Sequence, residues 1–301
     1  MAASPIITAL RDAAAAAVDR AAPAIVRVGR HGGRGCGIVV AKDRVLTNAH
    51  NLRDRTTAVA FADGRSVQGE ITAVDPDGDL AVLAVDTGTV SPILWGETAA
   101  QTGDVVFTAT RTPAGDVRVT FGMVSGVERA FRGPRGRRVT GSLEHTAPLA
   151  RGSSGSPVLD DEGRMVGLNT ARLSEGLYLA LPADADLRDR VDALIRGEAP
   201  QRLVLGVGIA RAEVAAKLRA SVGLPARDGL LVRSVEEDSP AARAGLLVGD
   251  LLTAAGDTDL ASVDDLHDAL DAARESGTLA LHVVRATEEL DLTVTFGDAP
   301  A

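Results

Sequence analysis

The 301-residue chain holds a single cysteine, Cys36, which excludes an internal disulfide framework and any multi-cysteine metal site. In "GRGCGIVV" that cysteine lies in a strand-like run with no local support for acting as a nucleophile. Aromatic residues make up only 2%, against 45% hydrophobic residues, so Val, Leu, Ile and Ala must build the cores. No stretch approaches the ~20 apolar residues that a membrane-spanning helix needs. Basic excess is absent too: the formal charge of -9 argues against general nucleic-acid binding. That charge is uneven. Residues 200–301 hold 9 Lys/Arg and 17 Asp/Glu, whereas the remainder holds 23 and 24, so a near-neutral part precedes an acidic one.

The length suggests two or three domains. The N-terminal "MAASPIITALRDAAAAAVDR" lacks the basic start of a signal peptide, and Arg11 and Asp12 interrupt its apolar region. Ser4 followed by Pro5 starts a helix. Ile6, Ile7, Leu10, Ala14, Ala17 and Val18 then share one face, which predicts an amphipathic helix over 5–20. With no export signal visible, the chain as written is expected in the cytoplasm.

From about 24 to 180 the pattern is β. Short runs such as "AIVRVG", "GCGIVV", "RVLTNA", "DLAVLAV", "DVVFTAT", "RMVGLNT" and "LYLALP" alternate with Gly, Asp, Asn and Pro, which predicts barrels or a sandwich. The period changes at 184: Leu187, Val191, Leu194 and Ile195 give a helix with one apolar face, read as the link between domains. A compact mixed unit follows from 202, with short helices capped by Ser239 and Ser262 among paired strands.

The segment "ARGSSGSPVL", 150–159, raises the chemical question. It is either a plain turn or a loop that offers one serine to a substrate beside bare backbone N–H groups. A serine hydrolase also needs a base, a carboxylate to hold that base, and oxyanion donors. His50 stands where the apolar strand of "RVLTNAHNL" runs into a polar turn. Of the three acids in "DPDGDLAVLAVD", Asp75 and Asp77 suit the turn around Pro76 and Gly78, while Asp79 adjoins the apolar run and is the one expected to be buried. The order His…Asp…Ser is that of the chymotrypsin type. The segment is not G-x-S-x-G, and a strand rather than a helix follows it.

With these pieces in place the chain resembles the HtrA/DegP-type serine proteases, whose T-N-A-H, D-L-A-V-L and G-N-S-G-G-P motifs correspond to "TNAH" 47–50, "DLAVL" 79–83 and "GSSGSP" 152–157. "FGMVSGVER", "GLNT" and "LYLALP" resemble further strands of that family. The resemblance implies a mainly β fold, a chymotrypsin-like double β-barrel followed by a small α+β PDZ domain. The expected bounds are an N-terminal helical segment at 1–22, a protease domain at 23–183, a linker helix at 184–201 and a PDZ domain at 202–297. It implies a triad of His50, Asp79 and Ser154, an oxyanion hole from the N–H groups of Gly152 and Ser154, and a specificity pocket lined by Leu149, Ala171 and Leu173. No acid marks the pocket, so a small or medium aliphatic residue is expected before the cleaved bond. The arginines 129, 132, 135, 137 and 138 are either a plain surface hairpin or the family's sensor loop.

In the second part, "VLGV" 204–207 resembles the carboxylate-binding loop of a PDZ domain, and "SPAARAGLLVGD" a second PDZ motif. The resemblance assigns peptide C-termini to Arg202, Val204, Leu205, Gly206 and Val207, with Leu205 and Val207 either lining the groove or in the core. A peptide would add to the sheet edge as a strand. The acidic run Glu236, Glu237 and Asp238 is a candidate partner for the arginine loop. The expected activity is ATP-independent endoproteolysis of unfolded or misfolded proteins, with no metal or cofactor. A periplasmic or other extracytoplasmic site and a trimer are implied by the resemblance alone. Two positions depart from the motif: Ser153 replaces Asn and Ser156 replaces Gly. If Ser156 requires φ > 0, its Cβ costs roughly 1–2 kcal/mol, which keeps a second reading open, a degenerate or resting protease acting as a PDZ scaffold or chaperone. A small-molecule esterase is the third class.

Overall fold

A computed structural model describes residues 4–29, 35–112, 114–132, 138–174, 176–200, 203–210, 212–225, 227–274 and 276–297. The chain divides into two compact units, 1–200 and 201–301. The first opens with α1 (Pro5–Ala21), which begins at Ser4 and Pro5 and buries Ala17 and Ala21. Proline is well suited to a first turn, where its missing N–H costs nothing.

Two six-stranded closed barrels follow. The first contains β1 (Ile25–Val28), β2 (Gly35–Ala41), β3 (Arg44–Thr47), β4 (Thr56–Ala60), β5 (Ser66–Asp75) and β6 (Leu80–Ala84). The second contains β7 (Val105–Arg111), β8 (Val117–Arg132), β9 (Arg138–His145), β10 (Pro157–Leu159), β11 (Met165–Ser174) and β12 (Leu177–Pro182). Closure leaves neither barrel an edge strand. In strand order the first barrel runs β1-β2-β3-β6-β5-β4 and the second β10-β11-β12-β9-β8-β7. The apolar runs of the sequence are these strands. Two strands were not among the runs: β5 carries Ser, Gln and Glu among its apolar positions, and β9 carries Arg, Gly and Glu, so neither stands out by composition.

Helix α2 (Ala185–Ile195) is capped by Asp184, whose side chain accepts from the Leu187 N–H. Its apolar face, the one read as a link, places Leu187, Val191 and Leu194 in the same core as Ile25, Ile38, Leu80 and Phe107. On the polar side, Arg190 donates to Asp75 Oδ2 at 2.7 Å. Asp75 also closes the turn anticipated around Pro76, accepting from the Gly78 N–H at 3.0 Å.

In the second unit β13 (Val207–Ile209), β14 (Leu230–Val235), β15 (Leu251–Ala255), β17 (Thr278–Arg285) and β18 (Glu288–Thr295) form one sheet in that order, and β16 (Thr258–Asp259) pairs with β15. Three helices accompany it: α3 (Ala212–Ser221), α4 (Pro240–Arg243) and α5 (Val263–Ala272). Ser239 caps α4, and Ser262 with Asp265 forms a capping box on α5, as their spacing implies. Helix α3 was not anticipated, because "AEVAAKLRAS" has a weak apolar stripe. Among the described residues, no helix is long and apolar enough to cross a membrane.

Since Leu187 is almost fully buried, Leu187→Ala is expected to lower the unfolding free energy by about 2–5 kcal/mol. Urea unfolding followed by circular dichroism measures it, and a loss under about 0.5 kcal/mol would show that α2 is not part of this core.

Candidate active site

The site lies along the seam of the two barrels. From the first barrel, β3 ends at Thr47 and a single 3-10 turn, Ala49–Asn51, carries His50. Asp79 immediately precedes β6 and is 1% exposed. It adopts φ 55°, a left-handed conformation that aspartate tolerates better than most residues. Its Oδ2 lies 2.7 Å from His50 Nδ1, and its Oδ1 accepts from the His50 backbone N–H at 3.0 Å. Thr170, on β11 of the second barrel, donates its hydroxyl to the same Oδ2 at 2.7 Å. An ionised carboxylate only accepts, so His50 Nδ1 carries the proton and Nε2 is left as a bare acceptor.

The serine loop comes from the second barrel but is tied to the first. Ser154 O accepts from the Cys36 N–H at 2.8 Å and from Asn51 Nδ2 at 3.0 Å. Gly155 has φ +83°, and a Cβ there would stand 2.2 Å from Cys36 O, so the seam closes only over glycine. The Ser154 hydroxyl donates to Thr170 O at 3.2 Å. Among the described residues it makes no hydrogen bond to the His50 ring. The N–H groups of Gly152 and Ser154 meet no acceptor among the described residues. Burial raises the pKa of the Cys36 thiol and disfavours the thiolate.

Ser156, the departure that raised the question of strain, does not have a positive φ. Gly152 and Gly155 have that conformation instead. Ser156 is fully buried, and its Oγ accepts from Asn169 Nδ2 at 3.0 Å. Asn169 Oδ1 in turn lies 2.8 Å from Nε2 of the buried His145, whose ring stacks on Tyr178 at a centroid distance of 5.7 Å. The serine thus completes a buried polar chain that a glycine could not.

Beside Ser154 is a cavity of about 290 Å³ whose lining includes Leu149 and Ala171, together with Arg172 and Tyr178, which were not anticipated. Leu173 does not line it and is 51% exposed. Strict alternation would put 171 and 173 on one face, but the β11–β12 register shifts on both sides of Arg172 and breaks that alternation. Thr170 and Asn169 could have been found, since both stand in the "GLNT" run. Tyr178 is the chain's one tyrosine. Arg135 and Arg137 of the arginine loop lie outside the described residues, as does Arg202.

In the second unit Val204 is 54% exposed, while Leu205 is a core residue. Gly206 has φ +79°, and a Cβ there would meet Ser239 Cβ at 2.3 Å. The N–H groups of Leu205 and Gly206 meet no acceptor among the described residues. Val207, half-buried, opens β13, the edge strand of the sheet.

The chain matches the trypsin-like peptidase domain family over residues 35–168 and the PDZ domain family over 204–296. It is 32% identical to a bovine (Bos taurus) mitochondrial serine protease, HTRA2, over 308 residues, 92% of this chain and 66% of that protein. It is 28% identical to the serine endoprotease DegS of Escherichia coli strain K12, over 95% of this chain and 86% of that one. Its structure matches that of the HtrA-type protease AlgW with a decapeptide at a TM-score of 0.72 and 25% identity, covering 96% of this chain and 99% of that one. This chain belongs to the HtrA-type serine proteases. It spans 56–66% of the length of the first curated relatives it matches. Family membership accounts for the two barrels, for the PDZ unit and for the order in which His50, Asp79 and Ser154 occur. Among the described residues of this HtrA-type chain, no group of three or more His, Cys, Asp or Glu is placed to hold a metal ion.

Burial holds the His145 imidazole below its usual pKa, with the Asn169 hydrogen bond opposing the shift. The unfolded chain therefore takes up this proton first as pH falls through about 6.5, and stability drops with it. Between about pH 7.5 and 5.5 the melting temperature of the native chain is expected to fall further than that of His145→Gln. Equal slopes in the two thermal melts would exclude a buried, neutral His145.

Proposed function

We propose that the chain is an ATP-independent serine endopeptidase that cleaves unfolded or misfolded proteins. In this reading Ser154 is the nucleophile, His50 the general base, and Asp79 the group that holds the base. The observation that carries it is the buried Asp79 carboxylate, whose bond to Nδ1 leaves Nε2 free on the side of proton transfer.

In the reaction the Ser154 hydroxyl turns from Thr170 O to His50 Nε2, gives up its proton there, and attacks the substrate carbonyl. A serine hydroxyl needs only rotation about χ1 for this, and catalytic hydrogen bonds are often loose before substrate binds. The developing oxyanion takes the free N–H groups of Gly152 and Ser154, donors that need no reorganisation. Collapse expels the amine, which leaves with the proton from Nε2. Water then hydrolyses the acyl-enzyme by the same exchange.

The second unit binds peptide C-termini in this proposal. The free N–H groups before β13 meet the terminal carboxylate, and the peptide pairs along the β13 edge.

Casein cleavage and labelling by a fluorophosphonate probe test the catalytic part. Ser154→Ala is expected to lose on the order of 10⁶ in kcat, while Ser153→Ala and Ser156→Ala keep much of the activity. Equal loss from Ser153→Ala would overturn the assignment. Asp79→Asn is expected to lower kcat by about 10⁴, because the imidazole is then held in the wrong tautomer. The same loss from Asp75→Asn, with none from Asp79→Asn, would name the wrong acid.

For the second unit, amidating a hydrophobic peptide's C-terminus is expected to weaken binding by about one to two decades, since bonds to a charged group contribute roughly 1.5–3 kcal/mol. Equal affinities in fluorescence anisotropy would rule out carboxylate capture.

A further inference from the structure

The cavity beside Ser154 carries cations and no acid. Its lining includes Arg151 and Arg172 but neither Asp nor Glu. Arg172 Cζ lies 5.3 Å from the centroid of the Tyr178 ring, and Nη2 donates to Leu149 O at 2.9 Å. The guanidinium therefore reaches from one wall of the cavity to the other. Leu149 O is its one hydrogen-bond acceptor among the described residues, although a guanidinium has five N–H groups to donate. Neither Arg151 nor Arg172 has a carboxylate partner among the described residues. The nearby carboxylate, Asp79, is committed to His50 and Thr170.

An aliphatic side chain entering this cavity would remove the guanidinium from water and leave its donors without acceptors, which is unfavourable. A lysine or arginine would meet two like charges. A carboxylate would meet planar, charge-assisted donors whose geometry suits it. We propose that Arg172 is the specificity-determining residue of this site and directs cleavage after glutamate or aspartate. The inference rests on the endopeptidase reading and refines it. It departs from the aliphatic preference expected from Leu149, Ala171 and Leu173, since Leu173 points elsewhere and Arg172 occupies the cavity.

The test uses four quenched peptides that differ only in the residue before the scissile bond: Glu, Gln, Val or Lys. For the native chain kcat/KM for Glu is expected to exceed that for the near-isosteric Gln by about tenfold or more, with Val and Lys below Glu. The ratio of Glu to Gln should shrink as salt is raised, because part of it is Coulombic. Arg172→Gln is expected to bring that ratio close to one, and Arg172→Glu to favour Lys over Glu. A native preference for Val over Glu, or a Glu-to-Gln ratio unchanged in Arg172→Gln, would overturn the proposal. If Arg151→Gln alone abolishes the ratio, the role belongs to Arg151 and the assignment to Arg172 fails. Casein cleavage that depends on Ser154 but shows no preference for Glu removes the specificity claim alone. No Ser154-dependent cleavage of casein or of any of the four peptides removes the endopeptidase reading along with it.

Discussion

The Asp79 carboxylate is the interaction on which the site depends. It is almost wholly removed from water, and removing a partner from a buried charge typically costs about 3–5 kcal/mol. Its donors come from both barrels: the backbone and ring of His50 from the first, the Thr170 hydroxyl from the second. Satisfying one charge therefore ties together, at the site, two closed sheets that share no strand, alongside the bonds between Arg27 and Arg111 O and between Arg111 and Ile25 O. The left-handed backbone of Asp79 is held from several sides, because its carbonyl also accepts from the Ala49 N–H and from Asn48 Nδ2. Local strain persists where the surroundings over-determine it in this way.

The serine loop follows a complementary principle. Its backbone is clamped across the seam by Cys36 and Asn51, with Thr47 Oγ1 donating to Cys36 O at 2.7 Å beneath them. Gly155 allows the approach. Below the loop, Ser156, Asn169 and His145 form a buried chain of hydrogen bonds, and the His145 ring stacks on Tyr178 in the cavity wall. The main chain is thus fixed while the Ser154 hydroxyl keeps a soft torsion. This combination suits a nucleophile that has to turn between Thr170 O and a proton acceptor.

In the second unit a similar economy appears at Gly206. Its positive φ and its close approach to Ser239 admit no side chain, and the turn leaves N–H groups bare at the start of an edge strand. Leu205 anchors that turn by burying its side chain in the core of the unit.

Much of this was legible in the sequence. Binary patterning and turn residues were enough for most barrel strands, though not for β5 and β9, and Ser239 and Ser262 marked helix starts, because capping is a local matter between a side chain and the next turn. The positions His50, Asp79 and Ser154 could be picked out because each stands where an apolar run meets a polar or glycine-rich turn. Other features depend on contacts far apart in the chain. The Thr170 bond to Asp79 spans 91 residues, and the clamp from Asn51 to Ser154 spans 103. The fate of Leu173 and Arg172 turned on register shifts between β11 and β12, which reverse the direction of a side chain without leaving a mark on composition. Local pattern was sufficient to mark His50, Asp79 and Ser154 as candidates, because the type of side chain and its local turn are encoded together. Tertiary structure alone decided which charges line the cavity and which N–H groups stay free, because both depend on how two independently closed sheets meet.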